Sequence, residues 1–182
     1  MSDREFQGYV NVKQDTGQIM FTLRADLSST KIKAAMKLAT GVAVPKRGSC
    51  QVVAGCALAW MSPDELLVMA PFAQAEKLRA SLDAALSEQH VLLEDVSDAR
   101  AKFILSGTNV REVLAKLAPM DTHPEKLPVG SFTRTRFAQV AGAVFLEQDD
   151  LISVICFRSV QDYVYALFCD AASYGSEVLV RE

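Results

Sequence analysis

The order in which apolar periodicity changes along the chain constrains its fold more than any single motif does. Ile19-Met20-Phe21-Thr22-Leu23 reads as a strand, and residues 29–38 then place Ile32, Ala35, Met36 and Ala39 on one helical face before Gly41 stops the helix. Residues 52–60 and 65–69 read as apolar strands joined by Met61-Ser62-Pro63-Asp64, whose proline and short polar side chains suit a tight turn. Ala75, Leu78, Leu82, Ala85 and Leu86 recur at helical spacing, and residues 91–96 return to a strand. The first half therefore reads β-α-β-β-α-β.

The second half repeats that order. Residues 101–105 form a strand, Gly107 turns the chain, and Asn109 with Glu112 three residues on suggests a capped helix whose buried stripe is Val110, Val113, Leu114 and Leu117. Pro119 ends it. Residues 132–146 read as a long extended stretch interrupted at Gly142, and residues 151–157 as a central strand. Ser159 and Asp162 open a last helix along Tyr163, Val164, Leu167, Phe168 and Ala171, closed by Gly175, with residues 178–180 as an edge strand. Short residue matches between the halves, such as Phe21-Thr22-Leu23 with Phe103-Ile104-Leu105, are compatible with an internal repeat. The expectation is an α+β fold of two ferredoxin-like units packed together as one intertwined globule: an N-terminal arm at 1–18, a first unit at 19–98 and a second at 99–182.

Composition fits a folded chain, with 182 residues, 50% hydrophobic and 23% charged. No apolar run approaches the roughly 20 residues a bilayer requires, and Met1-Ser2-Asp3-Arg4-Glu5 lacks the apolar segment of a signal peptide. These features predict a cytoplasmic, non-membrane protein whose four cysteines are reduced. The net charge of −3 combines +4 over residues 1–60 with −7 over the rest, too diffuse a basic segment to predict nucleic-acid binding.

The search for chemistry is mostly negative. His90, His123 and four cysteines without a C-x-x-C give no metal-ligand spacing, and no G-x-S-x-G, G-x-G-x-x-G or phosphate loop occurs. Asp95 with Asp98 suits a turn, and Asp149-Asp150 suits a solvated hairpin tip. The more telling residues are arginines: alternation in Arg134-Thr135-Arg136 puts both guanidinium groups on one face of a strand, and Arg158 follows the apolar run 151–157. Arginine suits a carboxylate or an interface ion pair, and a solvated strand edge is the alternative, so Arg134, Arg136, Arg158 and the Ser106-Gly107 turn are interface candidates; catalytic, cofactor-binding and metal-binding residues are not expected in this chain.

Several longer stretches carry a resemblance. Ala57-Leu58-Ala59-Trp60-Met61-Ser62-Pro63-Asp64-Glu65-Leu66-Leu67, Asp95-Val96-Ser97-Asp98-Ala99-Arg100, Leu105-Ser106-Gly107, Val113-Leu114-Ala115-Lys116-Leu117, Arg134-Thr135 and Arg158-Ser159 together resemble the gamma subunit of heterotetrameric sarcosine oxidase from about residue 21 to 175. The resemblance implies the fold of folate-binding aminomethyltransferases. It also implies a noncatalytic role within a complex that oxidatively demethylates sarcosine to glycine, with peroxide and, given tetrahydrofolate, methylenetetrahydrofolate as products. By the same resemblance FAD, FMN and NAD belong to alpha and beta subunits and zinc to a delta subunit. Folate-active relatives follow the equivalent of Val140-Ala141-Gly142 with acidic residues, whereas this chain continues Ala143-Val144-Phe145-Leu146, so folate chemistry in this chain alone is not implied. The alternative expectation is a stand-alone folate-family module holding a small anionic ligand between its halves. A subunit of a permanent complex is further expected to show exposed hydrophobic patches or self-association when isolated.

Overall fold

A computed structural model describes residues 4–178, which divide into two units: Gly17–Asp98, and a second built from residues 4–16 together with residues 99–178. In the first, strands β3 (Gln18–Arg24), β4 (Cys50–Val53), β5 (Cys56–Ser62), β6 (Glu65–Pro71) and β7 (Leu92–Asp95) form an antiparallel sheet in the order β4-β5-β6-β3-β7. Helices α1 (Thr30–Thr40) and α2 (Ala75–Leu86) cover one face. Alternation along β3 turns Ile19, Phe21 and Leu23 toward Ile32 and Met36 of α1 and Leu78 and Leu82 of α2, and these residues make the core. Ser29 accepts the Ile32 N–H at the start of α1, and Gly41, at φ +73°, ends it by donating to the Lys37 carbonyl.

The second unit repeats this arrangement. Strands β1 (Glu5–Phe6), β2 (Asn11–Asp15), β8 (Arg100–Ser106), β9 (Phe132–Phe137), β10 (Val140–Gln148) and β11 (Leu151–Phe157) form an antiparallel sheet in the order β1-β2-β8-β11-β10-β9. Helices α3 (Val110–Leu117) and α4 (Gln161–Ala171) close the core over Phe103, Leu105, Val144, Val154 and Phe137. Phe137 meets Phe168 of α4 edge-to-face at 5.1 Å. Strand for strand, β9-β10-β11-β8-β2 mirrors β4-β5-β6-β3-β7. Both units are thus ferredoxin-like, and the fold is α+β.

The structure departs from the sequence expectations in four places. First, the strand that pairs with β8 on the side away from β11 is β2, from the segment expected to be an N-terminal arm, while residues 178–180 were expected as an edge strand. Val178 is not in a strand, and Leu179 and Val180 lie outside the described residues. Second, residues 52–60 are not one strand: Ala54 (φ +50°) and Gly55 (φ +82°) form a two-residue hairpin loop with positive φ at both positions. Third, the extended stretch 132–146 reverses not at Gly142 but at Ala138 (φ +49°), whose N–H donates to the Leu117 carbonyl. Gly142 sits inside β10 for a different reason: a Cβ there would lie 2.3 Å from the Phe137 ring. Fourth, Asn109 occupies the N-cap of α3 but its side chain does not cap, and Glu112 instead accepts from the Tyr9 hydroxyl and the Val178 N–H.

Candidate functional site

The face of the second sheet turned away from its helices carries the unusual chemistry. The strand registers place Asp15, Lys102, Ile155, Ala143 and Arg134 in one row across it; beyond that row Arg100 pairs with Phe157, and Ala141 pairs with Arg136. Lys102 is 7% exposed, with its Nζ 3.2 Å from Asp15 and 3.8 Å from Glu147. Glu147 in turn accepts from the hydroxyl of Ser153, which is fully buried. The ammonium can be buried because the two carboxylates compensate its lost hydration, while Asp15 and Glu147 themselves stay partly exposed.

Beyond this row Phe157, Ala141 and Arg136 are exposed, and Arg100 is half-buried. Phe157 is 51% exposed and the Arg100 guanidinium stands over its ring at 5.4 Å from the centroid. Arg136 and Arg134 are exposed on β9, the outer strand, about 14 Å across three strand intervals from Arg100. The arrangement is a cation-rich sheet corner around a half-exposed aromatic ring, the composition that captures carboxylates while excluding water around an apolar anchor.

Of the five residues singled out from sequence, this corner gathers Arg134 and Arg136. Arg158 lies next to it but turns inward, donating to the Arg100 carbonyl at 2.7 Å and to the Gln161 amide oxygen at 3.4 Å, so it braces the strand end. Ser106 and Gly107 lie at the opposite end of β8 from Arg100, about 20 Å along the strand. Gly107, at φ +134°, packs against Tyr9 and Val10 and donates to the Asp150 carbonyl, which is the work of a turn. Arg100 and Phe157 were missed. The alternation Arg100-x-Lys102 repeats the Arg134-x-Arg136 pattern, yet only strand pairing reveals that both serve one face.

The second unit also has an open cavity of about 850 Å³ beside α3, lined by Asn109, Arg111, Thr122 and His123 among others. Its charges are already engaged: Arg111 donates to the Thr122 and Leu127 carbonyls and pairs with Asp149 at 3.0 Å, and Lys116 donates to Tyr9, Ala171 and Ser176. Asp95 accepts from the Ser97 N–H and hydroxyl, closing the turn expected there. Among the described residues, no three His, Cys, Asp or Glu side chains converge as a metal site. All four cysteines are free thiols, and burial pushes Cys56 and Cys156 up to about 11, leaving them protonated at neutral pH. In the native protein at pH 8 these two are expected to resist alkylation until denaturant is added; rapid labelling of either, read by peptide mass, would contradict their placement.

The family model described as sarcosine oxidase, gamma subunit family, matches residues 24–174. Sarcosine oxidase subunit gamma of Corynebacterium sp. (strain P-1) is 34% identical over 109 residues, covering 59% of this chain and 53% of that protein. The chain thus spans about half the length of the curated relatives it matches. The solved heterotetrameric sarcosine oxidase from Corynebacterium sp. U-96 in complex with pyrrole 2-carboxylate contains a chain that superimposes with a TM-score of 0.85 at 28% identity, over 97% of this chain and 91% of that one. The glycine cleavage system aminomethyltransferase T from Bartonella henselae aligns at a TM-score of 0.66 and 12% identity, over 85% of this chain and 44% of that one, a likeness of fold.

Proposed function

The chain belongs to the sarcosine oxidase gamma subunit family, and we propose that it works as the noncatalytic gamma subunit of a heterotetrameric sarcosine oxidase, docking on larger subunits that carry the chemistry. The observation that carries this reading is the superposition on a chain of a heterotetrameric sarcosine oxidase along almost its whole length. In the proposed complex sarcosine is oxidised to glycine with peroxide as the reduced product, and the methyl carbon passes to tetrahydrofolate. FAD, FMN and NAD are assigned to the alpha and beta subunits and zinc to delta. Cytoplasmic residence is part of the same proposal, and no described helix is long and apolar enough to cross a membrane.

This chain's own contribution is a recognition surface. Arg134 and Arg136, joined by Arg100 and Phe157, offer forked donors beside an apolar ring, while Arg158 holds the strand end that presents Arg100. Ser106 and Gly107 remain interface candidates at the far end of β8. Interfacial charge pairs weaken sharply when one partner is reversed. The Arg134→Glu/Arg136→Glu variant is therefore expected to bind the other subunits at least about tenfold more weakly, with an unchanged melting temperature. The functional test is sarcosine-dependent peroxide production by the other subunits with and without this chain. Dependence on the chain, with no turnover by the chain alone, supports the reading; turnover by the isolated chain, or activity indifferent to it, overturns it.

A further inference from the structure

The two sheets end in equivalent outer strands, β9 and β4, that are protected very differently. β9 carries exposed Arg134 and Arg136, the kind of charged edge that discourages stray strand pairing. β4 reads Cys50-Gln51-Val52-Val53, with no charge, and Val52 and Val53 are 51% and 48% exposed. Its hairpin tip rests on the turn after β6: the Gln74 amide donates to the Ala54 carbonyl, and a Cβ on Gly55 would touch Pro71 at 3.4 Å. Phe72, beside Pro71, is 71% exposed. An uncharged β-branched edge is an aggregation hazard unless something covers it.

Charge indicates what covers it. Between Asp26 and Asp64 the sequence contains no acidic residue, while Lys31, Lys33, Lys37, Lys46 and Arg47 are all present and all exposed. The last two stand immediately before β4, with Arg47 over the Trp60 ring at 5.8 Å from the centroid. A strand laid along β4 would meet hydrogen-bonding backbone with Val52 and Val53 exposed along it and cations at the Lys46 end, while a segment running past the hairpin tip would approach the turn that carries Phe72. We propose that β4 is a docking edge where an apolar, acid-flanked extended segment of another subunit of the same complex adds as a sixth strand. The inference rests on the subunit reading above and adds the surface and the chemistry of the partner segment.

The test is retention of the other sarcosine oxidase subunits by the affinity-tagged chain after co-expression. Wild type is expected to retain them, and Lys46→Glu/Arg47→Glu and Phe72→Ser, which alter exposed side chains outside the sheet, to retain at least tenfold less with unchanged melting temperatures. Val52→Asp/Val53→Asp should lose retention as well. If wild type itself retains nothing, the subunit reading fails. If wild type retains the subunits and the Lys46→Glu/Arg47→Glu and Phe72→Ser variants do too, the β4 assignment is overturned, whatever the aspartate pair does. A wild-type dimer that these variants dissociate, or bound nucleic acid that they release, while they still retain the other subunits would also overturn it in favour of a second copy or a polyanion.

Discussion

Replacing Lys102 with methionine is expected to destabilise the second unit by about 3 kcal/mol, because it leaves the Asp15 and Glu147 carboxylates without their shared cation beside the fully buried Ser153. Breaking a buried pair from one side costs more than the pair ever contributed, since the stranded charges keep their desolvation penalty. For a chain of this length the loss corresponds to a fall in melting temperature of about 6–12 °C. The triple variant Asp15→Asn/Lys102→Met/Glu147→Gln should recover most of it, as the uncompensated charges are gone. A single variant as stable as wild type, measured by urea denaturation, would mean that the ammonium is solvated rather than held between the two acids.

Gly8→Ala is expected to have an effect of similar size for a steric reason. A Cβ at position 8 would lie 1.9 Å from the Ala172 carbonyl oxygen and 2.8 Å from the Phe6 ring, and the adjacent Tyr9 N–H donates to that same carbonyl. The backbone at the end of α4 cannot yield cheaply, so the N-terminal strands must move away. That movement would expose Val10 and, in β2, Val12, both now fully buried, at about 1.5–3 kcal/mol each for complete exposure. Limited proteolysis should cut between residues 4 and 16 in Gly8→Ala and spare wild type and Gln7→Ala, whose side chain is exposed. Equal resistance in all three would show that the N-terminal segment is not locked at Gly8.

Why β2 escaped the sequence reading follows from its residues. Asn11-Val12-Lys13-Gln14-Asp15 turns Val12 and Gln14 inward, and Gln14, 2% exposed, donates to the Gln161 amide oxygen at 3.2 Å. A buried glutamine satisfied by a residue 147 positions away breaks the apolar alternation that marks a strand, and only tertiary structure supplies its partner. The β4-β5 hairpin was hidden differently. Val52-Val53-Ala54-Gly55-Cys56-Ala57 is apolar throughout, and alanine at positive φ gives no warning of a turn. The remaining order of strands and helices was legible because the 2.0 and 3.6 periodicities alternate cleanly, as in residues 18–40 and 100–117.

Legibility of the candidate site follows the same division. Arg134 and Arg136 could be paired from sequence because alternation within one strand fixes their common face. Arg100 and Phe157 could not join them without the registers of β8, β11, β10 and β9, which span 58 residues of chain. Arg158 looked equivalent to the other arginines and is not, since a single 3-10 turn after β11 swings it onto the Arg100 carbonyl.

The proposal that this chain is one subunit of a larger oxidase is tested by the mass of the particle it forms. After co-expression with the alpha, beta and delta subunits and purification through a tag on this chain, size exclusion with light scattering should give a single species whose mass equals one copy of each. Elution of the chain at its own 19.9 kDa, or a multiple of it, with the other subunits in a separate complete peak would contradict the claim.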